Sequence, residues 1–253
     1  MMDLYFECNF GISGDMTVAA LLDLGANKEK LEGALESMKL DNEFSYVISK
    51  KTVNAITATD FDVILPKHQH CHHHEHRNLD DINKIIDKAG ITSNAKELAK
   101  KIFKIVAQAE AKVHGKSIND IHFHEVGAVD SIVDIVSFAV LFDDLNPENV
   151  YFSTLTDGQG SVECRHGTIP VPVPAVCEIA LRYKLPLKIS DNDGEMVTPT
   201  GAAIAAALYN AKKLPDSFQI EKIGCGAGKR AYKNPILRVF GIKNNKDTCS
   251  EHN

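Results

Sequence analysis

Apolar and polar positions along this chain follow two periods, and the switches between them predict its elements. Leu4 to Cys8 is an apolar run of strand length. The turn Gly11-Ile-Ser-Gly-Asp-Met16 follows, then an apolar helix from Thr17 to Leu24 closed by Gly25. Residues 28–38 carry the 3.6-residue period of an amphipathic helix. Segments 44–52 and 56–65 read as two strands joined at Val53-Asn54, with Pro66 ending the second. Leu79 to Lys88 is helical, and a longer helix is expected from Asn94 to His114, with Leu98, Ile102, Ile105, Val106, Ala109 and Val113 in phase. A helix is also expected after Asp130, to about Leu145, then a strand at 150–154.

The second half is punctuated by glycine and proline. Asp157-Gly-Gln-Gly160 and Gly224-Cys-Gly-Ala-Gly228 read as glycine turns, and the alternate prolines of Ile169 to Pro174 impose an extended backbone. Helices are expected at about 175–183 and 200–211, and strands at 218–223 and 236–242. Strands alternating with helices predict an α/β fold, with a mixed β-sheet flanked by helices. Its extent is residues 1–243, one domain or two subdomains (about 1–148 and 149–243), with a disordered, histidine-rich loop at 67–78 and a frayed tail at 244–253.

Composition narrows the partners. A formal charge of −6 gives no electrostatic reason to expect nucleic acid or an anionic membrane. No apolar run approaches the ~20 residues that span a bilayer, and the N-terminus has no signal-peptide pattern. The six cysteines show no CxxC spacing. A cytoplasmic protein with reduced thiols is expected.

The densest chemistry lies between Ile121 and Ile135. His122 and His124 fall on one face of an extended strand, Glu125 follows, and Gly127 lets the chain turn. Asp130 can cap the next helix, and Asp134 lies one turn further on the same side, with Ile132, Val133, Ile135 and Val136 on buried faces. Two imidazoles and the carboxylates of Glu125, Asp130 and Asp134 suit a divalent metal, a proton relay, or both. The alternative, a strand edge with hydrogen-bonded histidines, leaves stacked carboxylates without a cation. Glu110 and His114 form another i, i+4 pair, which alone reads as a surface pair. His68, His70, Cys71, His72, His73, His74 and His76 fall within nine residues. Imidazole and thiolate favour nickel, copper or zinc over magnesium, and a loop suits capture and delivery better than catalysis. A solvated loop without specific duty is the alternative.

Three glycine-containing turns are candidate anion cradles. Gly11, Ser13, Gly14 and Asp15 precede a helix, although Asp15 can equally be a plain cap. Thr198 and Thr200 open an alanine-rich helix, and Gly224, Gly226 and Gly228 precede Lys229 and Arg230. Beside a metal cluster, three such turns point to a phosphorylated or nucleotide-like ligand.

In combination these segments resemble the family of nickel-insertion proteins that complete the nickel-pincer nucleotide cofactor of lactate racemase. The resemblance rests on Gly11 to Met16, the histidine run with Arg77-Asn-Leu-Asp-Asp-Ile82, Ala109 to Gly115 and His122 to Asp134. It continues through His166 to Pro172, Glu195 to Ala203 and Gly224 to Gly228. Glu7 stands where the family pattern has aspartate, and Asn9-Phe10 precede the glycine turn unusually.

The resemblance implies insertion of Ni(II) into a pyridinium-3,5-bisthiocarboxylic acid mononucleotide. His68 to His76 would gather nickel, His122 and His124 would receive it, Glu125, Asp130 and Asp134 would take the ring proton, and the glycine turns would hold the phosphate. It also implies CTP with Mn(II) or Mg(II) at a C-terminal domain that this chain does not contain, supplied by a partner polypeptide or lost by truncation. Apo lactate racemase as recipient and a homo-oligomeric assembly are further expectations. The rival readings are a nickel store or metallochaperone and a metal-dependent phosphoesterase.

Overall fold

A computed structural model describes residues 2–40, 42–66, 77–118, 129–164, 167–230 and 234–244. The first half contains strand β1 (Asp3–Glu7), helices α1 (Gly14–Leu24) and α2 (Lys28–Ser37), and the hairpin β2 (Ser45–Val53) and β3 (Ile56–Ile64). Helices α3 (Leu79–Lys88), α4 (Ser93–His114) and α5 (Val129–Leu145) follow. Next come β4 (Val150–Phe152), β5 (Leu155–Gln159), β6 (Ser161–Cys164) and β7 (Gly167–Pro170). The chain then forms α6 (Pro174–Tyr183), β8 (Leu187–Asp193), α7 (Pro199–Leu208), β9 (Phe218–Ala227) and β10 (Ile236–Asn244).

Six strands make one mixed sheet in the order β2-β3-β9-β10-β1-β4. β1 runs antiparallel to β10 and parallel to β4. β9 is antiparallel to β10, whereas β3 meets β9 in parallel at one residue pair, Thr59 with Gly226. Two small ladders stand apart, β5 with β8 in parallel and β6 with β7 antiparallel. Strand alternation gives the sheet two unlike faces. Leu4, Phe6, Leu237 and Val239 join the main core with the helices, whereas Tyr151, Phe240 and Ile242 cluster on the opposite face with Tyr5, Leu214 and Phe218.

The helices supply most of the core. Phe103 of α4 and Phe138 of α5 are fully buried, each contributing roughly 1.5–3 kcal/mol by burial. α1 ends where Gly25 turns left-handed at φ 107°, a conformation that costs glycine little. Asp23, near that end, accepts from the Cys225 N–H at 2.8 Å and the Thr59 hydroxyl at 2.8 Å, and pairs with Lys50. One carboxylate thereby ties α1 to β2, β3 and β9. Among the described residues no helix is long and apolar enough to cross a membrane.

Four elements differ from the sequence pattern. Gly224 and Gly226 belong to the continuous strand β9 rather than to a turn, and Asp157 and Gly158 belong to β5. Strand β8 has no clear apolar alternation. Asp130 does not cap α5 but lies inside its first turn, accepting from the Ser131 N–H at 2.8 Å.

Candidate functional site

Four helices begin around one cleft of about 630 Å³. Ser13, Gly14 and Asp15 line it from the start of α1, and Asp130, Ser131 and Asp134 from the start of α5. Val173, Pro174 and Ala175 come from the start of α6, and Thr198, Pro199 and Thr200 from that of α7. Each start carries the positive end of a helix dipole, so the cleft favours anions even before side chains are counted. Gly228, Lys229 and Arg230 enter after β9, Val162, Glu163 and Cys164 from β6, and Glu110 and His114 from the end of α4.

The α1 and α7 starts are stitched together. Ile12 and Val197 form a parallel bridge, in which the Ile12 N–H donates to Met196 O at 3.0 Å and the Thr198 N–H to Ile12 O at 3.1 Å. Gly11, at φ 87°, makes the approach possible, since a Cβ there would lie 2.6 Å from the Met196 carbonyl carbon. Asp157 braces the same segment: its buried Oδ1 accepts from the N–H groups of Gly158, Met196 and Val197 at 2.8, 2.8 and 3.0 Å. Thr198 caps α7 by accepting from the Gly201 N–H at 3.1 Å.

Asp134 dominates the electrostatics. Desolvation raises the pKa of this half-buried carboxyl well above its ordinary value, the charges of Asp15 and Asp130 raise it further, and Lys229 and the donating Asp15 N–H oppose them. Its Oδ1 has no hydrogen-bond partner among the described residues. Lys229 lies 2.6 Å from Asp62 and 3.9 Å from Asp15. Burial works against its charge, but Asp62, Asp15 and Asp134 outweigh it and hold its pKa above the ordinary lysine value. Arg230 pairs with the buried Glu195. His114 Nε2 is 3.2 Å from Glu110 Oε2, so this pair faces the cleft rather than serving as a plain surface pair.

Of the residues singled out in the sequence, Ser13, Gly14, Asp15, Asp130, Asp134, Thr198, Thr200 and Gly228 meet in the cleft. Gly11, Gly224 and Gly226 do not line it. Gly224 and Gly226 instead let β9 press against α1: a Cβ on either would lie 2.8 Å from a backbone nitrogen, of Leu24 or of Ala20. The α1 cradle also differs from its expected form, because the Asp15 N–H is taken by the Asp134 carboxyl. His68, His70, Cys71, His72, His73, His74, His76, His122, His124 and Glu125 lie outside the described residues. Asp62, Glu195 and Asp157 were not expected as site residues. Asp157 sits inside an apparent glycine turn, and its partners lie 39 and 40 positions away. Among the described residues no group of three or more His, Cys, Asp or Glu is arranged to hold a metal ion.

Comparison with known proteins adds the family. The nickel insertion protein family matches residues 4–252. A pyridinium-3,5-bisthiocarboxylic acid mononucleotide nickel insertion protein of Alkaliphilus metalliredigens is 49% identical over 96% of this chain and 61% of its own length. Proteins of the same name from Acetivibrio thermocellus and Clostridium kluyveri are 47% and 43% identical, over 91% and 95% of this chain and 57% and 62% of their own lengths. The chain thus spans about three-fifths of the length of these curated relatives. No solved structure matches it. With nearly the whole chain matched, it belongs to the nickel insertion protein family.

Proposed function

We propose that this chain inserts Ni(II) into the pyridinium-3,5-bisthiocarboxylic acid mononucleotide to form the nickel-pincer cofactor, and that the cleft of Asp134 is where the nucleotide reacts. The carrying observation is the half-buried carboxyl of Asp134, whose Oδ1 is buried and unpartnered among the described residues, in a cleft walled by four helix starts and two cations. The substrate in the relatives' name needs both properties. Its phosphate and two thiocarboxylates are anionic, and its ring carbon loses a proton when nickel bonds to it.

The side chains divide this work. Lys229, Arg230 and the starts of α6 and α7 oppose the substrate's negative charge. Desolvation and the charges of Asp15 and Asp130 favour the protonated form of Asp134, and arriving nickel favours the carboxylate, its proton leaving to solvent. The ionised carboxylate then accepts the ring proton, while Asp130 and Asp15 keep it basic. The run from His68 to His76 gathers nickel, with His122, His124 and Glu125 completing the inner site. Arg77, immediately after that run, donates to Glu43 at 2.7 and 2.6 Å and so ties its end to the body of the protein. We assign CTP, with Mn(II) or Mg(II), to the further length of the relatives. The recipient in this reading is apo lactate racemase in the cytoplasm.

The test mixes the purified chain with nickel and the unmetallated nucleotide, with and without CTP, Mn(II) and a candidate C-terminal partner polypeptide, and reads activity in apo-racemase. Asp134→Asn should abolish product, and alanine replacements across His68–His76 should raise the nickel concentration required. Wild-type product from Asp134→Asn would remove the cleft from the reaction.

A further inference from the structure

The first half of β9 is a strand edge. β3 reaches β9 at Thr59–Gly226, near the end of β9, so among the described residues no strand flanks residues 218–223 on that side. Gln219, Ile220, Glu221, Lys222 and Ile223 are all exposed, and the two isoleucines are each 50% accessible. An open edge with apolar side chains is a template for another strand.

The sequence of this edge is complementary to itself. A register irregularity at Gly241/Ile242 places Ile220 opposite Ile242 and Ile223 opposite Phe240. Cross-strand partners share a face, so both isoleucines extend the apolar cluster of Phe240, Ile242 and Tyr5, on the face away from α1. An antiparallel copy centred between Glu221 and Lys222 sets Ile220 against the partner's Ile223 and Glu221 against the partner's Lys222. Two-fold symmetry repeats both pairs. Among the described residues neither Glu221 nor Lys222 makes an ion pair that would compete. The cleft lies at the other end of β9, beyond Ala227, and stays open.

We propose that this edge is the interface between two copies of the chain, joined β9 to β9 into one sheet. The test is sedimentation equilibrium of the whole chain across the micromolar range. Wild type should be a dimer. Glu221→Lys and Lys222→Glu, each placing like charges opposite one another twice per dimer, should weaken it about tenfold or more. The two variants mixed in equal amounts should associate again, as should the double exchange Glu221→Lys/Lys222→Glu, because each restores opposite charges across the two-fold axis. Circular dichroism of each variant checks the fold. A monomeric wild type, dimers unaffected by the single changes, or no recovery on mixing would each overturn the interface. A wild-type monomer would instead leave the edge to the further chain of the longer relatives.

Discussion

Gly14 and Asp134 meet with no room for a methyl group between them. A Cβ on Gly14 would lie 2.6 Å from Oδ2 and 2.8 Å from Cβ of Asp134. The start of α1 is therefore shaped around the carboxyl of α5. Gly14→Ala should destabilise the fold by about 1–3 kcal/mol in urea denaturation, since the neighbour is packed and cannot retreat. It should also lower nickel insertion in the folded protein by moving Asp134. Unchanged stability and unchanged insertion together would mean that the carboxyl shifts freely.

Asp134 should also leave a mark on the pH dependence of stability without any metal. Its pKa in the folded protein is raised by burial. Its contribution is therefore fully present below the unfolded value, about 3.9, and is lost as pH rises through the folded pKa. Asp134→Asn has no such loss. Measured by urea denaturation from about pH 4 to neutrality, the variant should gain on wild type as pH rises. A difference independent of pH would mean that the folded carboxyl titrates normally.

Asp23 should behave in the opposite sense. Burial pushes its pKa up, but the Lys50 pair, the Cys225 N–H and the Thr59 hydroxyl outweigh burial and hold it below the usual value. Its contribution is present above the unfolded pKa and lost as pH falls through the folded one. Asp23→Ala should cost about 1–3 kcal/mol near neutrality, a cost that shrinks in acid. A constant cost across the acid range would assign the effect to packing alone.

Gly226→Ala separates a packing glycine from a ligand-binding one. The added Cβ would lie 2.8 Å from the Ala20 nitrogen, so the variant should lose about 1–3 kcal/mol of stability. Its folded fraction should bind the mononucleotide with wild-type affinity in calorimetry. Normal stability with weakened nucleotide binding would restore the phosphate-cradle reading of Gly224 to Gly228.

What could be read from the sequence was local. The period of Leu98 to Val113 marked α4, Gly25 marked the end of α1, and the two strands read at 44–52 and 56–65 are the paired β2 and β3. The i, i+4 pair Asp130 and Asp134, the Ser13–Asp15 turn and Thr198–Thr200 were each visible as separate motifs, and the fold brings them to one cleft. Long-range relations were hidden. Gly224 and Gly226 look like turn residues because the helix they accommodate lies some 200 positions earlier. Asp157 looks like part of a loop because its amide donors come from Met196 and Val197. The polar strand β8 pairs with β5 through backbone atoms, which leave no trace in residue type.

The parallel bridge between Ile12 and Val197 has a use that needs no catalytic assay. The amides of Ile12 and Thr198 are hydrogen-bonded across the join between two cleft-lining helix starts. Anything that fills the cleft and holds those starts together should slow deuterium uptake at these two backbone positions in concert. The chain thus carries a built-in gauge of occupancy, readable by mass spectrometry with nickel, nucleotide or both, and independent of turnover.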